Sequence, residues 1–323
     1  MPLYRLLSAL ALLLVTVPLT AQPLSVINQS PFAAMVGLAP ASSAQLGDAG
    51  EFSLRTNTII SSHFIDQSAS AESVVFDGES VLVDLAASYV VNKDWRLDFR
   101  LPYKNHGGGH LDALIEGWHS ALGLPDGGRD KVARNQLNFA YSRGDRVNTN
   151  LTTNSGGFGN IQVGVSRRVW QRDEQQASVR LVYSANRGED FISADSSAWS
   201  ASINYSNIEF IEDLPLGLDV RLGWLSTAQI RGLSRQKSGV WFTTLASQWQ
   251  FTEHMALKFQ FDAHGAITDS SLDALGNDAM MLSVGLSRQL GPQWNVEFAV
   301  TEDVAVETAA DVSFLFAVKY QVR

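Results

Sequence analysis

From Glu51 onward, apolar and polar residues alternate with a period of two. Trp95, Leu97, Phe99, Leu101 and Tyr103 share one face of a segment, with Arg96, Asp98 and Arg100 on the other. Val81, Val83, Leu85, Ala87 and Tyr89 repeat the pattern against Asp84, Ala86 and Ser88. Leu214, Leu216, Leu218, Val220, Leu222 and Trp224 oppose Asp219 and Arg221, and Met255, Leu257, Phe259 and Phe261 oppose Lys258, Gln260 and Asp262. Trp294, Val296, Phe298 and Val300 face away from Asn295, Glu297 and Thr301, and Phe314, Phe316, Val318 and Tyr320 from Ser313, Ala317 and Lys319. Successive side chains of a strand point to opposite faces, so each segment predicts a strand with one oily and one polar face.

The alternation predicts twelve strands, near 51–64, 74–91, 94–104, 157–170, 175–185, 197–209, 214–225, 238–251, 254–265, 279–290, 292–302 and 311–321. A soluble β-sandwich alternates too, and three features separate a membrane barrel from it. The strands have the length, about ten residues, that crosses a bilayer when tilted. Aromatics such as Trp95, Tyr103, Trp170, Trp199, Trp224, Trp249, Trp294 and Tyr320 fall near strand ends, where an interfacial girdle needs them. Connections alternate between tight and long: tight at Asn92-Lys93, Arg172-Asp173, Glu212-Asp213, Thr252-Glu253 and Gly291-Pro292, and long near 65–73, 104–157, 186–197, 226–238, 265–278 and 302–311. An even strand count with short turns on one side is the topology of bacterial outer-membrane barrels. Asn135 to Tyr141 is a further strand candidate that this parity places as a hairpin arm inside the long insert. The predicted fold is an all-β, transmembrane antiparallel barrel of about twelve strands with a partly helical long loop after the third.

Two segments precede the barrel, which the pattern places at 49–323. Arg5, the apolar run Leu6 to Val17, Pro18 and the small Ala21 before Gln22 read as a secretory signal over 1–21, too short for a comfortable membrane helix. Residues 22–48 are small, apolar and Pro-containing, which predicts either a lumen plug or an ordered lead-in beneath the barrel. With no cysteine, the chain has neither disulfides nor thiolate chemistry nor a lipid-bearing N-terminal Cys. A net charge of −9 argues against nucleic acid as a partner.

The densest tract is His106-Gly107-Gly108-Gly109-His110-Leu111-Asp112, continuing through Glu116, Trp118 and His119 to Leu124-Pro125-Asp126-Gly127-Gly128-Arg129-Asp130, and it carries half of the six histidines. This tract, together with Asn28-Gln29-x-Pro31, Gly37-Leu38 and Ser155-Gly156-Gly157-Phe158-Gly159-Asn160, resembles a family of exported bacterial proteins without an established function. The resemblance spans nearly the whole mature chain and implies a β-rich outer-membrane protein, with no catalytic residue to carry over. Gly157-Phe158-Gly159-Asn160 before a strand also resembles a broader class of outer-membrane channels, with Asn160 where an acid is usual. The last strand resembles a barrel-assembly signal through Phe314, Phe316, Val318 and Tyr320, but ends on Gln321-Val322-Arg323.

His106-Gly-Gly-Gly is compatible with an oxyanion loop, yet a nucleophile elbow of the form G-x-S-x-G is missing. His106, His110, Asp112, Glu116 and His119 are candidate metal ligands in unspecific spacing, and no H-E-x-x-H occurs. The plainer reading makes them the polar face of a helix whose apolar face is Leu111, Leu114, Ile115, Trp118 and Leu122. That helix then folds into the lumen, lies over the barrel mouth or rests on the outer leaflet as an interfacial helix, in each case a gate or lid that Asp112, Asp126, Arg129 and Asp130 could hold by pairing with lumen charges. No cofactor or metal is expected. The predicted inward face carries Arg55, Asp84, Arg96, Asp98, Arg100, Arg168, Asp219, Arg221, Lys258, Asp262, Glu297 and Lys319, which suit a water-filled channel or a salt-bridged core. The expectation is a channel for a small solute in a Gram-negative outer membrane, in contact with its lipid, and gated by 104–157 and the N-terminal segment. A lipid hydrolase and a structural or adhesive barrel are the alternatives.

Overall fold

A computed structural model describes residues 22–322 apart from 70, 112, 114–116, 118–132, 145, 187, 190, 212–213 and 306. The expected signal at 1–21 lies outside the described residues. Among these, fifteen strands make one antiparallel sheet. They are β1 (Phe52–Ala69), β2 (Glu72–Asn92), β3 (Trp95–Gly107), β4 (Asn138–Arg143), β5 (Arg146–Leu151), β6 (Ser155–Phe158), β7 (Ile161–Arg172) and β8 (Gln175–Ala185). Then come β9 (Ala198–Asn207), β10 (Leu216–Ser226), β11 (Gly239–Thr252), β12 (Met255–His264), β13 (Ala279–Gln289), β14 (Trp294–Asp303) and β15 (Val312–Val322).

Twelve of the strands close on themselves. β1 pairs with β2, β2 with β3, β3 with β7, and each next strand with its successor until β15 returns to β1. Closure leaves the barrel without a free edge. Each of the twelve coincides with a segment predicted from the alternation, because the period-two pattern survives on every strand. Leu54, Val83, Leu85, Leu97, Phe99 and Leu222 are exposed on the outside, whereas Asn57, Ser61, Asp84, Ser206 and Thr244 are buried inside. Oily-out and polar-in is the inverse of a soluble sandwich.

Exposed aromatics ring both ends. Trp95, Trp170, Trp249 and Trp294 sit at the tight-turn end, and Tyr103, Phe158, Trp199 and Trp224 at the long-loop end. Some are cross-strand partners: Trp294 lies opposite Tyr320 with ring centroids 4.7 Å apart, and Phe298 opposite Phe316 at 5.0 Å. Such pairs reinforce register as well as area burial.

Of the region expected as a long loop near 65–73, residues 65–69 and 72–73 are strand instead. β1 and β2 stay in register from Phe52↔Tyr89 to Ala69↔Glu72, well beyond the other strands. The extension pairs with β4, and β4 with β5, so the hairpin arm anticipated near 135–141 becomes a sheet flap above the ring. Its inner side is apolar: Ile65, Val74, Phe76, Phe139 and Tyr141 are buried together. That burial explains why an apparent loop stays extended. β6 adds a short pairing to the end of β3.

Candidate functional site

The interior of the ring is occupied by residues 22–46, and the polar faces of the strands hold them there through both the backbone and the side chains of the segment. At the tight-turn end, Lys319 Nζ donates to Gln22 Oε1 at 3.1 Å. The segment then ascends. Leu24 exchanges both of its backbone bonds with the Gln260 amide, at 2.7 and 3.2 Å. Asn28 Nδ2 donates to the Thr308 carbonyl at 2.9 Å at the long-loop end.

There the chain turns through a single 3-10 turn, Ala33–Met35. Phe32 wedges among the flap aromatics, stacked on Phe191 at 5.5 Å and edge-on to Phe76 and Tyr141 at 5.4 and 5.8 Å. Gly37 follows with φ +96°, and a Cβ there would lie 2.6 Å from that of Ala198, so only glycine fits both the backbone and the wall.

The descent is held as the ascent was. Asn160 Nδ2 donates to the Met35 carbonyl at 2.7 Å, Gln162 Nε2 to that of Gly37 at 3.1 Å, Arg221 to that of Ala39 at 2.9 Å and Arg180 to that of Pro40 at 3.1 Å. Ser43 then meets Ser206, and Gln45 reaches the Glu174 carbonyl in a tight turn. The segment is therefore a hairpin with both ends at the tight-turn end. An apolar lead-in has exposed carbonyls and amides to satisfy once it leaves water, and the inward amides and guanidinia of the strands supply the partners.

The charges expected on the inward face form small clusters. Arg55 and Lys258 both pair with Glu297. Arg100 Nε holds Asp84 Oδ2 at 2.7 Å, and Arg96 and Arg180 share Asp98 at 3.2 and 3.3 Å. Asp219 accepts from Ser206, and Asp262 from Thr244 at 2.6 Å and Gln260 at 2.7 Å. Arg221 lies over the Phe242 ring at 4.7 Å. Arg168 stands apart, bonded to Gln171 near a tight turn.

Beside the hairpin a vestibule of about 150 Å³ remains open, between its two arms and the wall made by β1, β2, β3, β7 and β8. Arg55, Arg96, Arg100, Arg180 and Lys319 line it, with Asp84 and Asp98 as its acids. A smaller cavity of about 20 Å³, on the scale of a single water, lies further in, shares Arg100 and Gln162 with the vestibule, and is lined by Lys104. Arg180, Lys104, Asn160 and Gln162 were not among the residues expected here. Alternation alone points to Arg180, between outward Val179 and Leu181, and to Lys104, which continues the Arg96-Asp98-Arg100 series.

The expected gating tract is only partly described. Asp112, Glu116, Trp118, His119, Asp126, Arg129 and Asp130 lie outside the described residues. His106 and Gly107 end β3 rather than starting a loop. His106 Nδ1 meets Ser80 Oγ at 2.7 Å, its Nε2 contacts the Phe191 carbonyl at 2.8 Å, and Ser80 also meets His63 at 2.7 Å. Ser80, His63 and His106 are all buried, which makes this a structural relay behind Phe139. Gly109, at φ +66°, lies where a Cβ would strike the Glu79 carboxylate, which accepts from the backbone N–H of Leu111. The triple glycine thus brings the chain against Glu79. His110 is exposed. Among the described residues no three His, Asp or Glu side chains gather into a metal-holding group.

The model of a family described as a protein of unknown function (DUF3187) matches residues 11–322. No curated protein matches the sequence. Among solved structures, the COG4313 outer membrane channel from Pseudomonas putida F1 is similar, with a TM-score of 0.54 at 10% identity, covering 88% of this chain and 99% of that one. The NanC porin gives a TM-score of 0.47 at 9% identity over 84% of this chain and 100% of its own, and the KdgM porin 0.47 at 8% over 84% and 99%. At 10% identity the likeness to the P. putida channel is one of fold alone: an outer-membrane type of barrel.

Proposed function

The chain belongs to the DUF3187 family, and from its geometry we propose that it is an outer-membrane channel for a small solute, closed in this structure by residues 22–46 acting as a plug. One observation carries the reading. The wall facing the hairpin is rich in polar groups, and several of its bonds to the hairpin fall on the hairpin's main chain, through Asn160, Gln162, Arg180 and Arg221. Such contacts can be exchanged for water, while the hairpin's apolar packing is gathered at its tip around Phe32 and at Leu24 and Val26. The open vestibule already admits solvent part of the way. The similar P. putida barrel is a channel by its own description, which supports the reading without establishing it here.

On this reading the flap and the 104–157 insert control the plug from the outer side, where Phe32 is clamped. Gating of that kind needs two arrangements of similar free energy, and the clamp sets the bias between them. Planar-bilayer recording of the full chain tests it: brief, infrequent openings are expected, and Phe32→Ala raises their frequency several-fold by loosening the clamp. Silence of both proteins, with no liposome swelling by small sugars, sinks the channel reading and favours a structural barrel.

A further inference from the structure

Resting on the channel reading, we propose that the vestibule between the hairpin and the β1–β2–β3–β7–β8 wall binds a small oxyanion, a solute presenting a carboxylate or phosphate group. The chain as a whole is acidic, with 33 acidic against 24 basic residues. The vestibule reverses that balance, with five cationic side chains against Asp84 and Asp98. Those acids do not neutralise it. Asp98 is divided between Arg96 and Arg180, whose Nε atoms lie 3.2 and 3.3 Å away without forming aligned hydrogen bonds. Asp84 is engaged by Arg100 and by the Asn57 amide, and the Glu297 carboxylate is shared by Arg55 and Lys258. Lys319 donates to the neutral Gln22, and the Glu51 and Glu297 carboxylates also act on it.

The excess continues inward. Lys104 is 4% exposed, and its Nζ has no hydrogen-bond partner among the described residues. It lines the inner cavity together with Arg100, another cation. A buried ammonium without a partner is costly, and an incoming anion removes part of that cost. Guanidinium groups present planar donor forks that match carboxylate and phosphate oxygens, and charge-assisted bonds of this kind are the strong ones. A cationic solute meets repulsion at the same wall, and a purely apolar one finds polar lining.

Calorimetric titration of the full chain in detergent, with citrate and with inorganic phosphate, tests the site apart from conductance. Saturable binding of citrate, phosphate or both is expected, weakening as sodium chloride rises, and none is expected with glucose or tetramethylammonium. The two anions distinguish a carboxylate from a phosphate solute. Arg180→Gln is expected to weaken binding roughly tenfold or more, because a charge-assisted contact is lost. Lys319→Gln at the rim and Lys104→Met behind Arg100 lower it less, through charge alone. Retained heat-modifiable migration in gels certifies folding, and the rim variant keeps the test decisive if Arg180→Gln misfolds. Absence of binding by either anion overturns the proposal even if the protein conducts. Wild-type affinity in folded Arg180→Gln, or in folded Lys319→Gln and Lys104→Met together, overturns it as well. Binding with these losses in a protein that never conducts upholds the site and removes the channel reading.

Discussion

Single residues decide where the hairpin can turn and what holds its tip. Gly37 combines a left-handed backbone with contact against Ala198. Gly37→Val is therefore expected to cost about 1–3 kcal/mol in backbone strain alone, read as a lower midpoint for loss of the compact band in heat-modifiability gels. Tyr141 sets another local condition. Its phenol donates to Glu72 at 2.6 Å, and the other Glu72 oxygen accepts from Ser270 at 2.7 Å. Burial first, and then the bond to Glu72, hold the Tyr141 phenol above the usual tyrosine value. The neutral phenol is thus favoured by the fold, and a denatured chain ionises it earlier. The latch contributes fully below the ordinary phenol range, about pH 10, and weakens as pH rises through it. An absorbance titration should show one tyrosine ionising after the others, and Tyr141→Phe should remove that late step.

At the scale of elements, the flap is the departure from a plain barrel. Phe76 is fully buried on its inner side, against Phe32 and Phe139. Phe76→Ala is expected to cost about 3–5 kcal/mol of local packing, and limited proteolysis should then cut the β4–β5 arm faster while the twelve-strand ring persists. The ring strands were legible in the sequence because each must be oily on one face and polar on the other. The extension of β1 and β2 was not, because Ile65, Val74 and Phe76 face an interior filled by another part of the chain. Residues such as Asp66, Gln67 and Ser68 then look like a loop. Inward charges could be assigned by alternation, as Asp84 and Arg100 were. Their partners could not, since Arg180 and Asp98 lie on strands brought together only through β7. Nor does composition reveal that 22–46 doubles back, because that depends on carbonyls meeting amides far away in sequence.

For the whole molecule, the two surfaces have opposite tolerances. Leu222 is among the most exposed apolar residues of the outer face and lies opposite Ile203 and Thr243. Leu222→Arg is expected to cost about 2–4 kcal/mol near the bilayer midplane, measured as reduced folding stability in lipid vesicles under guanidinium titration. The inner surface instead accepts charge wherever a partner is present, as at Glu297 between Arg55 and Lys258. An acidic chain can therefore carry a basic chamber: the balance is set face by face.

The hairpin also bears on how the ring is assembled. It leads directly into β1, the strand that seals against β15 from Phe52↔Val322 to Ser62↔Val312. Its contacts come from β3, β7, β8, β10, β12 and β15, around most of the circumference. The residues that fill the ring are thus the immediate covalent neighbours of the strand that shuts it. Only residues 47–51 separate the segment that fills the ring from the strand that shuts it, so the position of one constrains the other.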